Sequence, residues 1–314
     1  PRPLRADEGR RLSPPAPAPP PILNPRTLGW LSAAGVVCVW SGWVVVSRLG
    51  VVQTLSIYDM VMLRVAVATF AVSPFIWRFW PRQLKLWQVA LLSCGQGAPY
   101  LVLAFGGLQF APANHAGIMM NGTLPVFAAV LGWVWLRDRP DGWRVAGMAV
   151  ILGGCVLIGR DEASVGVGPD AWIGHLMFLG AALFVAINLI ATKAWQLTAM
   201  QAMVCIPTLN LVWYGPAYWA FAPKALAEAP WSEIILQGAY QGLGPSLLGV
   251  VMFTTAIRAI GTQPTAAMMA LVPGTAAVLA IPVLGEWPSG LAWAGLALTT
   301  GGILLSAGWR PGRR

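Results

Sequence analysis

The stretch MNGTLPVFAAVLGWVWLRDRPDGWRVAGMAVILGGCVL, residues 120–157, returns 148 positions later as MMALVPGTAAVLAIPVLGEWPSGLAWAGLALTTGGILL, residues 268–305. No gap is needed. Met120 meets Met268, Pro125 meets Pro273, and Ala128 to Leu131 meet Ala276 to Leu279. Asp138 meets Glu286, Pro140 meets Pro288, Gly142 meets Gly290, Gly147 meets Gly295, and the pair Gly153-Gly154 meets Gly301-Gly302. Chance matching in an apolar chain yields scattered Ala, Gly and Leu identities, whereas paired prolines, an acid and a double glycine at one offset indicate duplication. Each copy holds two apolar runs joined by a short polar link. An apolar run of about 20 residues spans a bilayer as a helix, because lipid offers unpaired backbone groups no partner.

Working outward, the chain offers ten such runs: 28–47, 58–77, 87–108, 114–136, 142–158, 171–191, 198–218, 234–257, 264–284 and 290–307. This predicts an all-α polytopic membrane protein with two five-helix repeats, 28–160 and 171–309, behind a Pro-rich disordered cytoplasmic tail at 1–27. Five is odd, so the second repeat enters the membrane from the opposite side. Inverted repeats of this kind are built for alternating access around a midplane site.

Composition supports lipid as the solvent: 57% of residues are hydrophobic and 10% charged, against about 25% charged in ordinary soluble domains. The net charge of +9 follows membrane sidedness. With both termini in the cytoplasm, sixteen of the twenty Lys and Arg residues fall inside, leaving Arg48, Arg160 and Lys224 outside and Arg64 within a span. The bases form no patch with interleaved aromatic residues, so no nucleic-acid partner is expected. Many Trp residues fall at span ends, where indole rings favour the interface. The four cysteines lie within spans without metal or redox spacing, and neither metal nor cofactor is expected. No cleavable leader is read in the first apolar run.

The polar residues inside spans are the candidate site, because lipid penalises them unless they face the bundle interior. Ser93, Gln96 and Tyr100 form one stripe in the third span; Gln237, Tyr240, Gln241 and Gly244 form another in the eighth. Cavity lining is expected for both, with interhelical bonding as the alternative. Asn121 lies one turn before Pro125. Asn188 in the sixth span reads equally as a substrate ligand or an interhelical bond, and Trp40 as a stacking platform or filler. Pro125 and Pro273 free a backbone carbonyl at equivalent positions and read as hinges or as static bends. Arg64 costs about 2.5–3.5 kcal/mol to insert at a helix centre. It sits about 9 Å below its span start, placed to attract a carboxylate in an outer vestibule, to snorkel, or to pair with Asp59. Asp138 and Glu286 precede prolines that open helices and read as N-terminal complements.

The elements Trp40-Ser41-Gly42, Arg64, Leu124-Pro125 before Asp138, and Leu271 to Pro273 before Gly285-Glu286 resemble the drug/metabolite transporter superfamily, in particular its EamA-type members. In the first repeat Arg137-Asp138 stands where that pattern has glycine and an acid. The resemblance implies ten spans and alternating-access export of small amphipathic metabolites across the inner (plasma) membrane. Amino acids are the expected cargo, aromatic ones if the likeness to the YddG-like branch holds. Efflux of drugs or toxic cations by proton antiport is the alternative. No acid falls deep within a span, which favours facilitated diffusion or weak coupling. An intramembrane enzyme is disfavoured by the lack of a nucleophile elbow, zinc motif or paired aspartates. The chain carries no signal for an oligomeric state.

Overall fold

The computed structural model describes residues 24–308, which are helical throughout apart from short links. Eight helices are long and apolar enough to cross a membrane: α1 (Pro25–Val51), α2 (Ile57–Phe79), α3 (Leu86–Phe110), α4 (Ala113–Leu136), α5 (Gly142–Gly159), α6 (Ala171–Ala194), α8 (Trp231–Ile260) and α9 (Thr262–Leu284). Against the expected ten, α10 (Gly290–Ser306) has only 17 residues. Helix α7 (Ala199–Phe221) is diluted by Gln201, Thr208, Asn210, Pro207 and Pro216.

The helix ends follow from local chemistry. Pro25 fits the first turn, whose N–H groups need no intrahelical partner, and the Asn24 side chain accepts from Arg26 N. The helix therefore starts inside the segment expected as tail; residues 1–23 of that tail, and residue 309 at the end of the second repeat, lie outside the described residues. Ser56 with Asp59, and Thr198 with Gln201, form reciprocal caps on α2 and α7. Asp141 caps α5 through Arg144 N, and Ser289 caps α10 through Ala292 N. Both α4 and α9 end on a left-handed residue, Arg137 (φ 61°) and Gly285 (φ 68°). At both ends the next N–H reaches back to satisfy an orphan carbonyl: Asp138 N to Gly132 O, Glu286 N to Ala280 O.

Helix α1 packs on the C-terminal half of α8 and on α9, while α6 packs on α3 and α4. Helix α2 packs on α8, α7 on α3, and α2 on α7. Helices α5 and α10 make the closest seam, through glycines. A Cβ at Gly147 would lie 2.7 Å from the Gly302 carbonyl oxygen, and one at Gly154 2.7 Å from that of Gly295.

Several spans depart from a regular α-helix. Helix α3 breaks at Gly97, where Pro99 has no N–H to give; the Ala98 N–H donates instead to Asn210 Oδ1 (2.8 Å), and Asn210 Nδ2 donates to Ser93 O (3.0 Å). The stripe expected to run unbroken from Ser93 to Tyr100 is thereby cut. Helix α8 widens into a π turn at Gly244–Leu248, and α4 does the same at Gly117–Gly122.

Candidate functional site

Arg64 of α2 organises the interior site. Its guanidinium lies 5.6 Å from the ring centroid of Trp43 in α1 and 3.5 Å from Gln241 Oε1 in α8. Trp43, 5% exposed, donates its indole N–H to Gln241 Oε1 at 2.7 Å. It stacks against Tyr100 of α3 with centroids 6.1 Å apart, and packs against Phe105 at 6.3 Å. Gln241 Nε2 donates to Ser47 Oγ (3.0 Å) and to Gln237 Oε1 (3.1 Å). Gln237 Nε2 in turn donates to Val46 O (2.9 Å). Both amides are fully buried. Four spans thus converge on one cation, one polar chain and an aromatic wall.

The charge balance matters most. The ion pairs among the described residues join Arg48 to Glu286, His115 to Asp161 and Lys193 to Asp138; none involves Arg64. Asp59, the partner that sequence position allowed, is taken up elsewhere: it accepts from the Ser56 N–H and hydroxyl, Tyr218 OH (2.5 Å) and Ala225 N (2.9 Å). Arg64 is half-buried, held by a ring face and one amide oxygen.

The other sequence-derived candidates separate. Tyr100 and Gln241 belong to this cluster. Gln96 is exposed, beyond the break in α3. Trp40 packs on Phe253 of α8 (5.4 Å), and Tyr240 OH donates to Val39 O (3.0 Å), so both tie the seam between α1 and α8. Asn188, buried, donates to Leu92 O (3.0 Å), an interhelical bond. Asn121 lies half-buried in the π turn of α4 before Pro125. Pro273 is buried, its backbone 3.3 Å from where a Cβ on Gly117 would lie. Trp43 and Ser47 were overlooked by sequence reasoning; their four-residue spacing on one helix face was the available signal.

At the end of the bundle where α1 finishes lies a second polar cluster. Arg48 Nε meets Glu286 Oε1 at 2.7 Å, and its guanidinium also donates to Leu108 O. Glu286 Oε2 accepts the Ala113 N–H (2.8 Å), so its role as an N-terminal complement is exercised on α4 rather than on α10. His115 is fully buried, with Nδ1 2.9 Å from His175 Nε2 and Nε2 3.1 Å from Asp161 Oδ2. Burial alone would raise the Asp161 carboxyl, but donors from Ser164, Ser289, His115 and Ala163 outweigh it and hold the group at about 2. Its contribution to stability is therefore complete above the ordinary carboxylate range and lost only as pH falls towards about 2. At the opposite end Asp138 meets Lys193 at 3.6 Å, an exposed pair of little energetic consequence.

A cleft of 620 Å³ opens between α2, α3, α6 and α7, lined by Tyr58, Pro99, Leu103, Phe184, Tyr214 and Phe221 among others. Arg64, Trp43 and Gln241 do not line it.

With this geometry in hand, comparison with known proteins gives a consistent picture. Residues 27–160 match the EamA-like transporter family. The chain is 28% identical over 284 residues to a probable terminal-alkyne amino-acid exporter of Streptantibioticus cattleyicolor, covering 88% of this chain and 93% of that protein. It is 25% identical over 228 residues to the uncharacterized transporter YwfM of Bacillus subtilis, covering 70% and 73%. A solved crystal structure, 19% identical, superposes with a TM-score of 0.58 over 89% of this chain and 96% of that one, which shows a shared fold. The first half of the chain, residues 27–160, is EamA-like, and this match together with the names of the relatives indicates a multi-pass membrane transporter of the EamA type and not an enzyme.

Proposed function

We propose that the protein exports amino acids or close relatives by alternating access, the substrate carboxylate being received by Arg64 and the side chain by the wall of Trp43, Tyr100 and Phe105. The observation that carries this reading is a cation inside the bundle that forms no ion pair with a carboxylate among the described residues. Keeping an arginine there costs several kcal/mol, and a substrate anion supplies the missing partner. The name of the 28%-identical relative, a probable amino-acid exporter, points the same way, and the ring wall favours apolar or aromatic side chains. Efflux of toxic cations is disfavoured, because Arg64 would repel them.

The transport cycle we infer uses ten spans in two inverted five-helix repeats, 28–160 and 171–309, in the inner membrane with both termini cytoplasmic. The contacts support this. Exchanging α1–α5 for α6–α10 maps the α1·α8 contact onto α6·α3, α1·α9 onto α6·α4, and α2·α8 onto α7·α3. The seam of α5 with α10 maps onto itself: Gly147 meets Gly302 while Gly154 meets Gly295. Such reciprocity is the signature of a two-fold axis, and the positive-inside count selects the orientation.

Counterflow in proteoliposomes, run with each of the twenty common L-amino acids, tests the proposal. The wild type is expected to exchange at least one apolar or aromatic amino acid, and Arg64→Gln to lose that flux by about 10-fold or more, the worth of a charge-assisted hydrogen bond. Undiminished flux in Arg64→Gln would overturn the carboxylate role. Transport of none of the twenty would remove the amino-acid assignment.

A further inference from the structure

We propose that Gln241 is a positioning residue: a neutral amide, locked in one orientation, that aims Arg64 without cancelling its charge. This rests on the carboxylate reading of Arg64 given above.

The lock begins at Val46, whose carbonyl accepts from Gln237 Nε2 at 2.9 Å. A carbonyl can only accept, so the Gln237 amide has one orientation and turns its Oε1 towards Gln241. Gln241 must then answer with its Nε2, which donates to Gln237 Oε1 at 3.1 Å and to Ser47 Oγ at 3.0 Å. Its Oε1 is left facing two groups that can only donate, the Trp43 indole N–H at 2.7 Å and the Arg64 guanidinium at 3.5 Å. A flipped amide would set donor against donor where both glutamines are fully buried, losing the bonds and leaving buried groups unmet. The chain from Val46 to Arg64 is thus polarised in one sense, with its acceptor end at the cation.

The chemistry of that end is selective. An amide oxygen at 3.5 Å orients the guanidinium through a long, weak bond, and the Trp43 face adds a cation–π contact. Neither carries a negative charge. A carboxylate at this position would form an ion pair within the protein and occupy Arg64 permanently. Glutamine and glutamate have nearly the same shape, so the neutrality of position 241 decides whether the site is receptive to an anion or already filled. The inference therefore narrows the substrate class to molecules that bring their own carboxylate or a similar oxyanion.

The test uses the full-length protein in lipid nanodiscs, its thermal unfolding followed with and without the amino acid that most stabilises the wild type among the twenty common ones. Gln241→Glu gains an ion pair with Arg64 but loses the two bonds that Nε2 donates, so it is expected to weaken binding about 10- to 100-fold and to lower the melting temperature of the ligand-free protein by much less than it does in the Arg64→Gln background, where the new carboxylate lacks a cation. A merely structural role for Gln241 predicts the same fall in both backgrounds, and that result would overturn the proposal, as would wild-type affinity in Gln241→Glu. Gln241→Met, which keeps length but supplies no acceptor, is expected to weaken binding without raising the melting temperature; wild-type affinity there sinks the proposal even where Gln241→Glu fails to fold. Unchanged binding in Arg64→Gln alone would instead count against the carboxylate reading, while the ligand-free melting cycle would still report on Gln241.

Discussion

Arg137 is exposed and closes α4 in the left-handed region at φ 61°, a conformation that glycine adopts freely and that L side chains resist. Its counterpart Gly285 does the same for α9 at φ 68°. Arg137 thus keeps the turn geometry that Gly285 has and puts a strained residue into it. Arg137→Gly should stabilise the protein by about 1 kcal/mol, read as a higher melting temperature in detergent with transport unaltered; a fall in melting temperature would mean that the side chain holds contacts outweighing its strain. At this scale the sequence was legible where a residue type has one use and opaque where direction decides. Arg64 stood out because charge inside an apolar span is costly. Trp40 and Trp43 are one turn apart in a helix apolar on most sides, and no periodicity told which ring faced the cation and which faced Phe253.

Glycine pairs show the same limit at the scale of elements. In Gly153-Gly154 the two residues look alike in sequence, yet a Cβ at Gly153 would meet nothing within 4 Å, whereas one at Gly154 would lie 2.4 Å from Thr299 Oγ1 and 2.7 Å from the Gly295 carbonyl oxygen. Gly301 and Gly302 repeat the pattern, open and then closed, 148 positions on. Backbone cannot yield as a flexible side chain can, so Gly154→Ala should cost about 1–3 kcal/mol by overpacking, while Gly153→Ala should be neutral or gain up to about 1 kcal/mol of helix propensity. Thermal unfolding of the two variants side by side measures this, and equal effects would contradict the seam described. The small-residue seam itself was readable from composition. The break in α3 was not, because it depends on Asn210 of α7 reaching across to Ala98 N and Ser93 O, contacts 112 and 117 residues away in sequence. The polar stripe drawn through Ser93, Gln96 and Tyr100 assumed an unbroken helix and so placed Gln96 with Tyr100, from which the break separates it.

Across the whole molecule, the helical membrane architecture was visible in advance because lipid imposes long apolar runs. The polar cluster beyond α1 was hidden, since it gathers Arg48, Ala113, His115, Asp161, His175 and Glu286 from separate parts of the chain. It ties elements from both halves at one end of the bundle, and the Arg64 site lies among α1, α2, α3 and α8, so both depend on the two halves being assembled. In the proposed function Arg64 receives a charge that it draws from no ion pair among the described residues. The most direct measurement compares binding of L-phenylalanine with that of L-phenylalaninamide, which keeps the ring and the amino group but has no carboxylate, to the full-length protein in nanodiscs. We predict that the amino acid binds and that the amide binds about 10-fold or more weaker, a preference that Arg64→Gln abolishes. Equal binding of the two, or tighter binding of the cationic amide, would contradict it.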